Sequence, residues 1–584
     1  MSELLVRGCL QSTQQKVPGR VGLYVALTLL VGACASPQGV GSSAGGEAVG
    51  RGSGAPRRIV AAIQGDAHNL SARVDPTGIN TPGLDALEEL ISSGLVTHDN
   101  EGRLHPRLSE SVPTLENGLW SVQPDGRMET RWTIRSGARW HDGTPVTAAD
   151  FLFTAQVDQD REIVAIRNLA YDSIESLEAP DERTLIARWS RPYIEADTLF
   201  GRSAGPPFPR HLLERPYLDD KSSFAQLPYW SSDFIGSGPY RVKEFARGSH
   251  LLLVAFEDYV PGRPKVDEIE LRIIVDTNTL MANVLAGTVE LTLGRSISLE
   301  QGLQLRDQWK EGKLDISYQS WIMFYPQFLN PSPAVVGDVR FRRALMHAID
   351  RQEMSDTLNF GIGPVAHAYL SPNEPEYKDL EGSMVRYEYD TRKATQMIEG
   401  LGFAKGPDGA LRDSEGRRLA VEIRVSARNP LSNKSQLAVT DYWQQIGVGA
   451  DPLVIPTQRA ADREYVANFP AFHLYRQPND IHSVKRYHSS QSRTAERNYV
   501  GNNYNRYMSP EFDTLIDHYF ATIARAERTQ VLGQILYHMT DQLLLMGLFH
   551  DVEATMISKR ITNVGARYQN STQAWNAHQW EVRN

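Results

Sequence analysis

Cysteine is nearly absent: the 584-residue chain has only Cys9 and Cys34. A folded body without thiols cannot hold a catalytic cysteine, a zinc–cysteine site or a disulfide. The chain also lacks a large excess of charge of one sign, since 61 Lys and Arg against 70 Asp and Glu give a formal net charge of −9. This balance disfavours a nucleic-acid partner, which would need a basic patch. The remaining composition, 41% apolar and 22% charged, is that of a globular protein long enough for more than one domain.

Long apolar runs are missing too, because no segment beyond the first 34 residues has eighteen consecutive apolar residues. The apolar run at 21–30 follows Lys16 and Arg20 and precedes small residues. This is the layout of a secretory signal, and the run is too short for a stable membrane span. The sequence therefore predicts an exported protein.

The end of this signal, Val31-Gly32-Ala33-Cys34, resembles a bacterial lipobox. It predicts a signal peptide over residues 1–33 and lipidation of Cys34, which would anchor the protein at the outer face of the cytoplasmic membrane, in the periplasm or at the cell surface. The alternative is an ordinary signal peptide in which Cys34 has no role. Residues 34–56 are rich in Gly and Ser and predict a flexible tether.

The rest of the chain alternates between strand and helix patterns, which predicts a mixed α/β class. "RRIVAAI" reads as the first strand, and "VDEIELRIIV" and "LAVEIRV" alternate apolar with polar residues as strands do. "DVRFRRALMHAIDRQEM" and "YDTRKATQMIEGLGF" read as helices, capped by Asp338 and Asp390. "LLLMGLF", residues 543–549, reads as a buried strand.

The stretch "RSGARWHDGTPVTAADFLF", residues 135–153, is dense in polar and turn residues. Gly137 and Gly143 predict turns, and Thr147 lies three residues before Asp150, as in a capping box. Its neighbouring His141 and Asp142 would point to opposite faces of an extended chain, so they do not predict a catalytic pair. The stretch is interpreted as scaffolding.

This stretch also resembles the signature "LRxGxxWxDGxPxTAxDxxF" of the extracellular solute-binding proteins of family 5. Further segments resemble the family in the same order. They are "VDPTG", "GLVTHDNEGRLHPRLSES", "GSGPYRVKEFARGSHLLLVAFEDY", "DVRFRRALMHAIDR", "YEYDTRKATQMIEGLGF" and "YWQQIGV". The resemblance runs from about Arg57 to near the C-terminus. The family comprises dipeptide-, oligopeptide- and nickel-binding components of ABC importers.

The resemblance implies a bilobed α/β fold of the periplasmic-binding-protein type (type II, cluster C), with two lobes joined by a hinge. Lobe one would take residues 57–275, lobe two 276–545, and 546–584 would return to lobe one. The strand in 266–275 would lead into the hinge. The lobes would close on a solute, most often a short peptide, and deliver it to an ABC permease and its ATPase subunits. A monomer is expected.

The resemblance also implies where ligand is bound. In peptide-binding relatives a carboxylate of lobe two pairs with the peptide amino group, and the matching stretch here is 471–490. Depending on register, that position falls on Asn479 or Asp480, and the family tryptophan falls on Tyr475 or Arg476. Further candidates near the cleft, each with a structural alternative as a core or turn residue, are Tyr318, Trp321 and Asn69.

The sequence also bears on whether the chain has a metal site or is an enzyme. His473, His482 and His488 lack the spacing of a metal site, so no metal and no cofactor is predicted. The sequence has no Gly-x-Ser-x-Gly, Ser-x-x-Lys or His-Glu-x-x-His motif, so an enzyme is not expected. The alternatives are an exported lipid-anchored hydrolase with a dispersed triad, and a ligand-sensing lipoprotein with the same two lobes.

Overall fold

A computed structural model describes residues 56–74, 81–160, 162–163, 171, 173–202, 204–427, 429–460, 462–568 and 570–583. The predicted signal peptide, Cys34 and nearly all of the tether lie outside these residues. Among the helices of the described part, none combines the length and hydropathy that a membrane crossing requires.

The strands of the described residues are short except for two, β12 and β18. In chain order they are β1 (Arg58–Ile63), β2 (Val96–His98), β3 (Leu104–Pro106), β4 (Trp120–Val122), β5 (Met128–Thr133), β6 (Ile174–Glu178), β7 (Thr184–Trp189), β8 (Tyr240–Ala246), β9 (His250–Ala255), β10 (Glu268–Ile273), β11 (Leu291–Thr292), β12 (Gly312–Pro326), β13 (Ala404–Lys405), β14 (Leu411–Arg412), β15 (Ala420–Ser426), β16 (Gly449–Ile455), β17 (Phe472–Pro478), β18 (Met546–Ser558), β19 (Ile561–Thr562) and β20 (Glu581–Val582).

Helices alternate with these strands along the chain, and several of them, such as α5 and α10, pack on the strands. In chain order they are α1 (Leu84–Ile91), α2 (Ala148–Gln159), α3 (Arg210–Asp219), α4 (Thr277–Leu285), α5 (Leu299–Gln308), α6 (Val339–His347), α7 (Arg351–Leu358), α8 (Tyr377–Leu380), α9 (Thr391–Glu399), α10 (Pro430–Gln445), α11 (Arg463–Ala467), α12 (Pro510–Ala521) and α13 (Arg525–Asp541).

Several elements begin where the sequence predicts. Asp338 accepts a hydrogen bond from the Arg340 backbone at the start of α6, and Asp390 does the same for Lys393 at the start of α9. The backbone N–H of Thr147 donates to Asp150 at 2.8 Å, which forms one half of the capping box of α2. Such caps satisfy N–H groups that have no partner inside the helix.

One ten-stranded mixed sheet runs through the molecule in the order β16-β15-β17-β12-β18-β11-β1-β10-β9-β8. Strands β12 and β18 lie at its centre and pair antiparallel over nearly their whole length, from Gly312 opposite Ser558 to Phe324 opposite Met546. A separate four-stranded sheet, β4-β5-β7-β6, carries the stretch that precedes α2. The long pair β12–β18 therefore connects the two ends of the molecule.

The apolar residues form separate cores on either side of this pair, as a bilobed fold requires. We call lobe one the part packed around Ile59, Leu271 and Ile557, together with the second core around Trp132. Lobe two is the part packed around Phe324 and Val421, together with the core around Leu536. The α/β bilobed fold is thus present, and β12 and β18 contribute residues to both lobes.

The segment 276–311, which was expected to open lobe two, packs on the lobe-one side of the sheet. Strand β11 pairs parallel with β1, with Ala61 opposite Leu291. Helices α4 and α5 bury Leu280 and Leu305 in a small core that also holds Ala62. The strand in 266–275, β10, likewise pairs with β1 and does not cross. These contacts favour a first crossing in β12, and the expected boundary at 275/276 stays a prediction.

Candidate functional site

The lobes meet over a polar seam at the middle of β12 and β18. Residues at both ends of the pair, such as Phe324 and Ile557, lie in apolar cores. Between them, polar side chains are buried: Ser317, Gln319 and Ser320 on β12, and Asp551, Glu553 and Thr555, which alternate with Val552 and Ala554 on β18. The two cores are therefore separated by buried groups that need hydrogen-bond or ionic partners.

Arg476 supplies the first of these partners. It lies on β17 and hydrogen-bonds to Asp551 and, at 3.0 Å, to Glu553 on β18. Burial disfavours the charged form of Arg476, but the two carboxylates outweigh it and raise its pKa. The Arg476 side chain is 20% exposed, and those of Asp551 and Glu553 are less so. These two contacts of Arg476 thus link β17 of lobe two to β18, the strand that returns to lobe one.

A second arginine continues the network into lobe one. Arg567 lies 3.0 Å from Asp85 of α1 and 3.9 Å from Glu553. Burial opposes the charge of Arg567, yet Asp85 and Glu553 outweigh burial and raise its pKa. Burial also opposes ionisation of Asp85, but Arg567, Arg202 and Arg295 hold its pKa below the usual value. Buried charges of both signs thus alternate across the seam.

A pocket of about 420 Å³ opens beside Arg476, and we call it the Arg476 pocket. It is lined from the lobe-one side by Gln64 and by the segment 295–301, and from lobe two by Asn359, Phe360 and α10. Its wall also includes Asp551 and Glu553. Burial lowers the pKa of Arg295 on the same wall. The pocket presents charges of both signs to whatever enters it.

A larger pocket of about 700 Å³, which we call the Glu374 pocket, also lies between the lobes. Lobe one supplies His98, Glu101 and Asp197, among others. Lobe two and the C-terminal return supply the opposite wall, which includes Glu374, His482, Tyr519, Arg528 and Tyr568. Both interlobe pockets match the description of ligand sites as concave and lined by a few directed polar groups.

Direct contacts close one edge of the Glu374 pocket. Glu195 of lobe one forms an ion pair with Lys485 of lobe two at 3.3 Å. Its neighbour Ile194 is buried in a core of lobe two. The lobes therefore touch beside the pocket, as expected of a closed arrangement.

The structure places the sequence-predicted ligand residues in different surroundings. Arg476 lines the Arg476 pocket. Its neighbour Tyr475 points to the opposite face of β17, where its ring packs against that of Tyr504 with the ring centroids 5.4 Å apart. Tyr318 is half-buried, and its hydroxyl donates to the Ile362 carbonyl at 3.2 Å. Trp321 is 1% exposed in a core of lobe two. No contact tests their ligand roles, which stay predictions.

The remaining predicted residues already have intramolecular partners. Asn479 is fully buried and bonds to His550 at 3.0 Å. Asp480 caps the short 3-10 helix 481–487 by accepting from the His482 backbone and the Ser483 hydroxyl. Asn69 donates to the Val74 carbonyl at 3.3 Å. The structure thus brings Asp480 to the edge of the Glu374 pocket, where its helix supplies lining residues.

Histidines do not assemble a metal centre in the described part of the chain, where no group of three His, Cys, Asp or Glu side chains has a metal-binding arrangement. His473 is buried, and burial lowers its pKa to about 3. His482 lines the Glu374 pocket, and His488 bonds to Ser490 at 2.8 Å.

The polar stretch before α2 is scaffolding in the structure. His141 is buried, its Nε2 lies 3.0 Å from the Gly238 carbonyl, and its Nδ1 accepts from the Gly236 backbone at 3.2 Å. Asp142 bonds instead to His211 at 2.7 Å. His141 and Asp142 therefore serve different contacts, and the stretch fastens α2 to the "GSGPY" segment.

Several residues of the seam were missed from the sequence. Asp551, Glu553 and Thr555 alternate within an otherwise apolar run, and this period-2 pattern signals a polar strip on a buried strand. Glu374 and Arg567 stand in segments without periodicity. Tyr519 follows Phe512 and Ile516 at helical spacing in α12, a pattern that predicts burial but not a place between the lobes.

Comparisons with known proteins agree with this geometry. The family model of bacterial extracellular solute-binding proteins, family 5 Middle, matches residues 104–494, about two thirds of the chain. Oligopeptide-binding protein AppA of Bacillus subtilis is 24% identical over 369 residues, which cover 62% of this chain. The same alignment spans 63% of AppA, less than two thirds of that relative's length.

Solved structures share the fold. AppA of Bacillus subtilis in complex with a nonapeptide superposes with a TM-score of 0.69 at 20% identity, covering 91% of this chain and 100% of AppA. The oligopeptide-binding protein of Thermus thermophilus with a pentapeptide gives 0.69 at 21%, with coverages of 90% and 97%. NikZ of Campylobacter jejuni with Ni(L-His) gives 0.71 at 21%, with coverages of 90% and 100%. Fold, sequence signature and family match agree, and this chain belongs to the bacterial extracellular solute-binding proteins of family 5.

Proposed function

We propose that this protein is the substrate-binding component of an ABC importer, which captures a short peptide between its lobes and delivers it to a membrane permease. The observation that carries the proposal is the Glu374 pocket of about 700 Å³, lined by both of the lobes that the long strands β12 and β18 connect. The relatives named for or complexed with peptides support the choice of a peptide, while the NikZ complex marks a metal chelate as the competing ligand class.

The geometry explains how capture would work. A ligand in an interlobe pocket contacts both lobes only when they are closed, so it favours the closed arrangement by its differential affinity. Strands β12 and β18 form the connection about which rigid lobes rotate, since a few φ and ψ changes at a crossing absorb a domain rotation. The work of the protein is then binding and release, without chemistry of its own.

The ligand would meet polar groups from both lobes. Arg476 is the predicted ligand residue best placed to receive a carboxylate, because it lines a pocket and presents a planar guanidinium. Its existing partners, Asp551 and Glu553, fix its orientation. Asn479, Asp480, Tyr475, Tyr318, Trp321 and Asn69 are kept as proposed contacts or supports of the cleft.

Location follows from the N-terminal sequence. We propose export by the signal peptide, lipidation of Cys34 and attachment of the monomeric body at the outer face of the cytoplasmic membrane through the tether. This position would present the closed receptor to the permease and its ATPase subunits.

The function is tested by ligand capture. Native mass spectrometry of the protein purified from its own host should show bound peptide. Thermal unfolding with pools of di- to nonapeptides should then give a raised Tm by mass action, and sugars should not. A shift with nickel–histidine alone would replace peptide by metal chelate, and turnover of the peptides by pure protein would favour a hydrolase.

A further inference from the structure

The Glu374 pocket has more carboxylates than cations to pair with them. Three of its five carboxylates form ion pairs: Glu101 with Arg103 at 2.6 Å, Glu376 with Arg525 at 3.1 Å, and Glu195 with Lys485 at 3.3 Å. Asp197 of lobe one and Glu374 of lobe two form no ion pair within the described residues. Carboxyls without an ion pair thus face the pocket from both lobes, and the Arg528 guanidinium in the same pocket acts on Asp197 only electrostatically.

Glu374 is the more deeply buried of these two, with 4% of its surface exposed. The Tyr568 hydroxyl donates to its Oε2, and the Ile481 backbone donates to its Oε1 at 3.2 Å. A carboxylate oxygen accepts more than one hydrogen bond, so Glu374 keeps acceptor capacity toward the pocket. Ionisation of a buried carboxyl that has no cationic partner costs free energy, and a cationic group of a ligand would supply that partner.

An independent sign of a ligand comes from Tyr519 on the same wall. Its side chain is 1% exposed and lines the Glu374 pocket, and among the described residues its hydroxyl has no hydrogen-bond partner. Buried hydroxyl groups are nearly always paired in folded proteins. A polar group of a bound molecule would satisfy it.

The position of the family's carboxylate would fall on Asn479, which is uncharged and bonds to His550, or on Asp480, whose two oxygens cap the 3-10 helix 481–487. Glu374 lies beside them, since the backbone N–H of Ile481, the residue after Asp480, donates to Glu374 Oε1 at 3.2 Å. A cationic ligand group entering here therefore meets Glu374, with Asp480 as its neighbour.

We propose that the Glu374 pocket binds a cationic group of the ligand, an ammonium or guanidinium, with Glu374 and Asp197 as its anionic partners and Tyr519 as a hydrogen-bond partner. The inference rests on the proposed function, because it names the chemistry of the captured solute. The cation is either the amino terminus of a peptide or a Lys or Arg side chain, and both would use the same site.

Proton release would accompany this binding. Burial, together with the neighbouring Asp480 and Glu376, raises the pKa of Glu374 to about 8 against the hydrogen bond from Tyr568. Tyr519 and Tyr369 also lie within its electrostatic reach. The empty pocket thus holds a protonated Glu374 at pH 7. A bound cation favours the ionised form, so the proton leaves to solvent as the ligand binds.

The test is isothermal calorimetry on the full chain with three probes: pentaalanine, N-acetyl-pentaalanine, and N-acetyl-pentaalanine with its central residue replaced by lysine. At least one amine-bearing probe should bind about tenfold or more tightly than the uncharged one. Glu374→Gln should reduce that preference to about twofold or less. Glu300→Gln, which removes a carboxylate from the other pocket, should leave it intact.

Two further readouts separate a binding role from a structural one. Titrations at pH 7 in buffers of different ionisation enthalpy should show close to one more proton released by the wild-type chain with an amine probe than by Glu374→Gln. Burial also raises the pKa of Asp197 to about 7, so Asp197 can release part of a proton in both chains. Tyr519→Phe should weaken amine binding several-fold without lowering the Tm, because the hydroxyl has no hydrogen-bond partner to lose in the part of the chain that the structure describes.

The outcomes distinguish this inference from the proposed function. Equal binding of all three probes, or an unchanged preference in Glu374→Gln, would overturn the cation site and leave peptide capture standing. If none of the peptides binds, the same titration is made with agmatine, which carries a guanidinium and an ammonium. Agmatine binding that Glu374→Gln abolishes would support the cation site and refute peptide capture. Absence of agmatine binding, or agmatine binding that Glu374→Gln leaves unchanged, would refute both the cation site and peptide capture.

Discussion

Arg476 on β17 and Asp551 on β18 form a buried ion pair across β12, the strand that lies between them. The pair joins a strand of lobe two to the return strand at the seam where the Arg476 pocket opens. It therefore ties the stability of the crossing to the groups that a ligand would meet.

Replacement of Arg476 by Ala should destabilise the protein by about 3–5 kcal/mol, because it leaves Asp551 buried without its cation and removes the closer of the two arginines beside Glu553. Urea unfolding at pH 7 measures the change. Arg459→Ala removes an exposed arginine paired with Asp462 and should cost less than about 1 kcal/mol. Equal costs for both variants would show that the seam does not depend on this pair.

His141 should make the protein sensitive to acid. Burial lowers its pKa to about 4, whereas an unfolded histidine titrates near 6.5. Between these values the unfolded chain binds the proton and the native protein does not, so stability falls as pH falls. Between pH 7 and pH 5, the free energy of unfolding of His141→Gln should therefore fall by about 2 kcal/mol less than that of wild type.

The control for this experiment is His68→Gln, at an exposed histidine. It should keep the pH dependence of wild type in denaturant titrations at both pH values. If the free energy of unfolding of His141→Gln depended on pH as steeply as that of wild type, the His141 ring would not be held neutral in the native state.

Gly238 permits a backbone contact that the "GSGPY" segment needs. Its N–H donates to the Ile91 carbonyl at 3.0 Å, and a Cβ at this position would lie 2.4 Å from Ile91 C and Ser92 N. Gly238→Ala should cost more than about 2 kcal/mol in urea unfolding, since backbone atoms must move. Gly382→Ala, where a Cβ meets nothing within 4 Å, should change stability by about 0.5 kcal/mol or less. Similar effects at both glycines would rule out this close approach.

Local patterns in the sequence predicted the positions of helices and strands, but not which distant residues meet between the lobes. Helix starts at Asp338 and Asp390 follow from capping chemistry that acts within four residues, so a short window contains the information. The meeting of Arg476 with Asp551, or of Glu374 with Tyr568, joins residues far apart in the chain. The position of β11 beside β1 was missed for the same reason, because strand partners are chosen by the whole sheet.

Lipid anchoring is tested at Cys34. Cys34→Ser should move the protein from the membrane fraction to the soluble fraction and abolish incorporation of radiolabelled palmitate, because the acyl chains are attached to that thiol. Cys9→Ser should leave both unchanged. Membrane retention of Cys34→Ser would favour an ordinary signal peptide or another anchor.

Closure of the lobes around a peptide is tested most directly by a distance across the Glu374 pocket. Spin labels would be attached at Glu116→Cys in lobe one and Glu527→Cys in lobe two, in a chain with Cys9 and Cys34 replaced by Ser. These exposed positions lie two residues from Thr114 and next to Arg528, which line the pocket. Double electron–electron resonance should show a broad, longer distance without ligand and one shorter distance with a peptide that binds by calorimetry. Saturating peptide with an unchanged distance distribution would contradict capture by closure.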